Sequence, residues 1–129
     1  MGEGGVNMSE DSKLKILTVI LTRGAYISES AEIAFRTALR AHKKGYQVNV
    51  FLYLDGVWVA HIKGDKNFNN PGDWLKRVIR KGINVCMCHR CSSARDLVDG
   101  DYIEGVKPLG TYELVGMLRA SDKVLTFGG

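Results

Sequence analysis

Cys86-Met87-Cys88-His89-Arg90-Cys91 places three thiols, an imidazole and a guanidinium within six positions, and the 129-residue chain has no other cysteine. Sulfur chemistry runs through the thiolate, so local charge decides what such a cluster can do. Cys88 and Cys91 stand three apart and share one side if the chain is already helical there. A thiol at a helix start meets unpaired N–H groups and the positive end of the dipole; His89, Arg90 and Arg95 add positive charge nearby. That environment suits a nucleophilic cysteine or a persulfide anion. The same Cys-x-x-Cys spacing suits a redox dithiol. With Cys86 and His89 it would supply three or four ligands to zinc or an iron–sulfur cluster, although structural zinc usually draws on a second, distant knuckle and the chain has none. The c-type haem signature fails, because His89 follows the first cysteine of the pair and not the second. A lone cysteine in a strand is commonly a small buried hydrophobe, an explanation that a cluster of three weakens.

The elements that position these groups follow from the hydrophobic pattern. Lys13 to Thr22 is a β-branched apolar run of the kind found in strands buried on both faces. Ser28 or Ser30 is placed to cap a helix carrying Ala31, Ala34, Phe35, Ala38, Leu39 and Ala41 at helical spacing, which Gly45 ends; His42 sits there as a helix-terminus cation. Gln47 to Leu54 reads as a second strand, so the segment forms a βαβ unit with a right-handed crossover. Asp55–Gly56 turns the chain, Val57 and Trp58 offer an apolar subunit contact, and His61 to Gly72 is a long polar loop. Asp73 to Lys81 is an amphipathic helix with Trp74, Leu75, Val78 and Ile79 inward. Ile83 to Met87 is a short third strand with Cys86 at its end, Ser92 to Val98 a short helix, and Val106 to Leu109 a brief strand. A helix over Thr111 to Ala120 and a closing strand over Lys123 to Phe127 complete the pattern. Alternating strands and helices predict a three-layer, flavodoxin-like α/β fold with a mostly parallel sheet of four or five strands. In such sheets functional groups collect at the carboxyl ends of the strands, where Tyr26, Ser28 and Trp58 would line the pocket of Cys86, with Tyr53 and His61 beside them.

Composition sets outer bounds. The formal charge is +4, with 45% hydrophobic and 25% charged residues, ordinary for one globular domain that needs neither disulfide nor metal to fold. Residues 1–12 read as a flexible leader and 13–129 as the domain. The basic residues around His42–Lys43–Lys44 and Lys76 to Lys81 lack the interleaved aromatics and density of a nucleic-acid surface. No apolar run reaches membrane-span length and no secretory signal is present, so a cytoplasmic setting with reduced thiols is expected. Thr22-Arg23-Gly24-Ala25-Tyr26 follows the first strand without a G-x-G-x-x-G or a Walker lysine, which leaves nucleotide binding without its motif. No resident metal or cofactor is expected.

Four stretches in order resemble the DsrE/DsrF family of TusD-like sulfur-relay proteins: L-T-R-G-A-Y after strand one, V-F-L-Y-L-D-G-V after strand two, I-N-V-C at strand three and A-S-D-K-V-L-T-F at the end. They span Lys13 to Phe127. The resemblance implies a flavodoxin-like fold, assembly as a homotrimer or hexamer, and sulfane sulfur accepted from a donor protein as a cysteine persulfide and passed to an acceptor protein. The family's active cysteine maps onto Cys86. Cys88 and Cys91 are additions to the TusD pattern and leave room for a resolving thiol or a second acceptor. Resemblance thus ranks Cys86 first, while local chemistry favours Cys88. The competing readings are a metal-binding or dithiol redox module and a small oligomeric interaction protein with incidental cysteines.

Overall fold

A computed structural model describes residues 15–24, 29–61 and 71–128. Five strands, β1 (Ile16–Leu21), β2 (Gln47–Leu52), β3 (Asn84–Cys88), β4 (Lys107–Leu109) and β5 (Lys123–Phe127), form one sheet in the order β4-β3-β2-β1-β5. Every pairing is parallel. The helices are α1 (Ser30–Lys43), α2 (Pro71–Arg80), α3 (His89–Ala94) and α4 (Thr111–Ala120), with a 3-10 helix over Leu54–Ala60 after β2. This is a three-layer, flavodoxin-like α/β architecture.

The strands form where the sequence offers apolar runs able to face protein on both sides. Register pairs Val19 with Val50 and Val50 with Val85, so Leu17, Val19, Leu21, Val48, Leu52 and Met87 share their face, buried beneath α1 and α2. Small residues at Ala31, Ala34 and Ala38, with Phe35, form the fully buried face of α1 and let the helix approach closely. Leu75 and Val78 anchor α2, and Trp74 carries the guanidiniums of Arg36 and Arg77 over its ring at 5.3 and 4.6 Å. The opposite face carries Thr18, Asn49, Phe51, Cys86 and Cys88, with α4 packed beside β1.

Several local expectations shift. Glu29, with no side-chain bond, occupies the N-cap of α1, and Ser30 is its first helical residue; Ser28 lies outside the described residues. Gly45, at φ 98°, ends the α1 region in a conformation only glycine adopts cheaply. Asp55–Gly56, expected as a turn, lies inside the 3-10 helix Leu54–Ala60, which buries Val57, Val59 and Ala60 within this chain, so Val57 is not free for a neighbouring subunit, although Trp58 stays 38% exposed. The loop expected from His61 falls, over 62–70, outside the described residues, as does the leader expected at 1–12. Among the described residues no helix is long and apolar enough to cross a membrane.

Candidate functional site

Alternation along β3 decides where each thiol goes. Because Val85 and Met87 face α1 and α2, Asn84, Cys86 and Cys88 face the other way. The strand runs to Cys88, so Cys86 is its middle residue and not its end: two further residues continue the parallel ladder with β4. Cys86 is 1% exposed, flanked in register by Phe51 on β2 and Lys107 on β4. Cys88 leaves the strand in an extended conformation and caps α3, its Sγ accepting the Cys91 N–H at 3.4 Å. The helix therefore begins at His89, three residues before the expected start. Cys91 is buried in the first turn of α3, and its Sγ accepts the Leu54 N–H of the 3-10 helix at 3.2 Å.

The three thiols are free and occupy two environments, Cys88 with Cys91 at the strand–helix junction and Cys86 beside Asn84 and Lys107. Among the described residues no three His, Cys, Asp or Glu side chains gather as metal ligands. Burial pushes the Cys86 thiol above its ordinary 9.0, and the Lys107 charge opposes it. Burial also raises Cys91, helped by its hydrogen bond to Cys88 and opposed by the Leu54 N–H and Arg95. Since the folded values exceed the unfolded ones, the native state keeps more protons as pH rises through the ordinary thiol range. The stability these neutral thiols contribute is full below that range and is lost above it.

The supporting charges divide in the same way. His89 and Arg90 are exposed at the start of α3, and His89 lines a cavity of about 340 Å³ with Ser92, Ser93, Tyr102 and Pro108. Arg95 is already engaged: Nε and Nη2 donate to Asp55 Oδ1 at 3.1 and 2.9 Å, and Nη1 donates to the Cys91 carbonyl at 3.0 Å. It braces α3 against the 3-10 helix, with only a weak field at Cys91. Because Asp55 is 63% exposed, solvent screens the pair, and Arg95→Ala is expected to cost no more than about 1 kcal/mol by urea titration. Trp58 lies on the 3-10 helix with its ring edge-on to His61 at 6.0 Å. Tyr26 lies outside the described residues.

Sequence reasoning missed a row of polar side chains crossing the same face of the sheet. Lys107 Nζ donates to Asn84 Oδ1 at 2.9 Å, Asn84 Nδ2 to Asn49 Oδ1 at 3.0 Å, and Asn49 Nδ2 to Thr18 Oγ1 at 3.3 Å. Thr18 Oγ1 meets Ser121 Oγ at 2.6 Å, and Ser121 donates to the Met117 carbonyl of α4 at 2.7 Å. Thr18 and Asn49 are buried and satisfied only through this row, as buried polar groups must be. The signal lay in L-T-V, V-N-V and I-N-V-C, each an apolar strand interrupted once by a polar residue.

Comparison with known proteins gives consistent relatives. A model of the DsrE/DsrF-like family matches residues 15–127. An uncharacterized protein of Methanocaldococcus jannaschii is 39% identical over 116 residues, covering 85% of this chain and 97% of its own. A second, from Methanopyrus kandleri, is 34% identical over 122 residues, covering 93% and 100%. A sulfurtransferase TusD homolog of Pseudomonas aeruginosa is 26% identical over 117 residues, covering 79% and 89%. Among solved structures, the YchN protein of E. coli superposes with a TM-score of 0.76 at 27% identity, covering 89% of this chain and all of its own.

Proposed function

The chain belongs to the DsrE/DsrF-like family, and from that membership we propose that it is a sulfur carrier of the sulfurtransferase type, holding sulfane sulfur as a cysteine persulfide. The observation that carries this reading is the gathering of three free thiols on β3 and the first turn of α3, in a chain related to a TusD homolog. A Cys86 thiolate attacks the outer sulfur of a donor persulfide; a new S–S bond forms as the donor's breaks, and the donor leaves as a thiolate. An acceptor thiolate then attacks the outer sulfur and Cys86 departs as the thiolate, by the same nucleophile and leaving-group rules as disulfide exchange. No external oxidant or reductant enters. Cys88 and Cys91 serve as second acceptors, placed next to each other at the strand–helix junction with the Cys91 N–H directed at Cys88 Sγ. His89 and Arg90, exposed at the start of α3 next to Cys88, supply positive charge near the thiol segment.

The same Cys88–Cys91 pair supports a second reading, a dithiol redox or regulatory module, since Cys88 Sγ already accepts the Cys91 N–H in the first turn of α3 and the two thiols act on each other's charge. One experiment separates the two. Reduced protein is incubated with a low-molecular-weight persulfide and its intact mass measured. The carrier reading expects a gain of one sulfur, removed by a thiol acceptor and absent from the Cys86→Ser/Cys88→Ser/Cys91→Ser variant. An adduct surviving Cys86→Ser moves the acceptor to Cys88 or Cys91. Loss of two hydrogens with no added sulfur, the thiols oxidised to a disulfide as the persulfide is reduced to thiol and sulfide, supports the dithiol, and an unchanged mass sinks the carrier.

The reading includes a homo-oligomer, a trimer or hexamer working with donor and acceptor proteins in the cytoplasm. What supports assembly is apolar surface on the last two elements: Tyr112 is 91% exposed, Val115 51%, Val124 42% and Leu125 40%.

A further inference from the structure

Cys86 and Lys107 are register partners on neighbouring parallel strands, so their side chains leave the same face a strand spacing apart. Both point at one atom. Lys107 Nζ donates to Asn84 Oδ1 at 2.9 Å, and the Cys86 thiol donates to the same oxygen at 3.7 Å. Asn84 is not free to present anything else. Its Nδ2 is bound to Asn49 Oδ1, Asn49 Nδ2 is bound to Thr18, and the hydroxyl pair ends on the Met117 carbonyl. Every donor in the row points the same way, so turning the Asn84 amide over would set nitrogen against Lys107 and oxygen against oxygen at Asn49.

This arrangement suits a neutral thiol and mismatches a sulfur anion. A thiolate or persulfide has no proton to donate and is repelled by Asn84 Oδ1. Lys107 is exposed, with three donors on a flexible stem, and lies beside the sulfur. On the reading that Cys86 accepts the sulfur, we propose that Lys107 is the counter-cation of the Cys86 sulfur anion, held ready on Asn84 Oδ1 and moving to the sulfur when the thiol gives its proton to solvent. Phe51 on the β2 side is apolar, and Cys88, two residues along the same face, is a further thiol. Lys107 is the charged group whose field bears on Cys86, and it acts to lower the pKa that burial raises. A buried sulfur thereby gains a charge partner without a permanently buried cation, which would itself be costly.

The test follows iodoacetamide labelling of Cys86 across pH in the full chain, resolved from Cys88 and Cys91 by peptide mass mapping. The rate follows the thiolate fraction, and loss of a nearby cation moves it to higher pH. Lys107→Gln, which keeps a donor for Asn84 but no charge, is expected to slow labelling near pH 8 by roughly tenfold, the equivalent of one pKa unit. Lys107→Arg is expected to restore most of the rate. Superimposable profiles for wild type and Lys107→Gln overturn the proposal, as does a Lys107→Arg profile no better than that of Lys107→Gln. Because Lys107 lies exposed on an edge strand, circular dichroism and urea midpoints of both variants are expected to match wild type. Labelling needs no sulfur donor, so the two readings fail separately. A shifted profile with no persulfide loading keeps Lys107 and removes the carrier; loading with an unshifted profile does the reverse.

Discussion

Gly56→Ala is expected to lower stability by about 3 kcal/mol or more, into the range reserved for severe steric or buried-group defects. Gly56 is buried inside the 3-10 helix where that helix crosses the end of β1. A methyl group there would overlap the Leu21 carbonyl oxygen and lie 2.8 Å from its carbon. Neither partner yields easily, since the Leu21 carbonyl already accepts the Tyr53 N–H at 2.9 Å and belongs to β1, a strand paired on both sides. The protein must then lift the 3-10 helix, exposing Val57, Val59 and Ala60, or pry open the sheet end. Urea titration measures the loss. A specific second effect accompanies it: the Leu54 N–H, which acts to lower the Cys91 pKa, withdraws from its Sγ, so the Cys91 labelling profile moves to higher pH while that of Cys86, on β3, is unaffected. A midpoint within 1 kcal/mol of wild type, by the usual linear extrapolation, would mean the helix does not sit that close to Leu21.

Asn49→Ala is expected to cost about 2 to 3 kcal/mol, more than one ordinary hydrogen bond, because it strands the groups on either side. Asn84 Nδ2, half-buried, loses its acceptor, and Thr18 Oγ1, fully buried, its amide donor. The functional consequence travels further than the cavity. With Asn49 gone, Lys107 alone holds the Asn84 amide in place; whenever the amide turns, its N–H₂ faces Cys86 in place of the repelling oxygen, so the Cys86 labelling profile is expected to move toward lower pH although no residue touching the sulfur has changed. Destabilisation with an unaltered profile would reduce the row to a structural role.

Much of this architecture was legible in the residues. Ile16–Leu21, Gln47–Leu52 and Lys123–Phe127 are strands within the expected runs, and Thr111–Ala120 is a helix with the expected bounds, because each is a simple periodic pattern with apolar residues on its buried side. The thiol segment and its strand-to-helix setting were equally readable. Errors arose where local chemistry is unusual. Cysteine is not a customary N-cap, so α3 was assigned from Ser92, although Cys88 Sγ performs the capping. Asp55–Gly56 carries turn chemistry, and nothing in D-G-V-W-V-A announces a 3-10 helix that packs inward. The polar row was invisible for a different reason. Thr18, Asn49 and Asn84 are far apart in the chain and look like isolated blemishes in apolar runs. Only the strand order β4-β3-β2-β1-β5, a product of long-range pairing, lines them up and delivers their orientation to Lys107 and Cys86.

The position of β5 has a consequence for how the chain is made. Its partner is β1, and the two are joined across 106 residues by the Ile16 N–H on Asp122 Oδ2 at 2.8 Å. The strands β1 to β4 can assemble in the order they leave the ribosome, each beside its predecessor. Throughout that time one side of β1 presents an unpaired ladder, the kind of edge that other chains adhere to. β5, made after the other four, closes that edge. A chain released before Lys123 therefore differs from one that carries β5 mainly in its tendency to associate, with its thiol segment already in place.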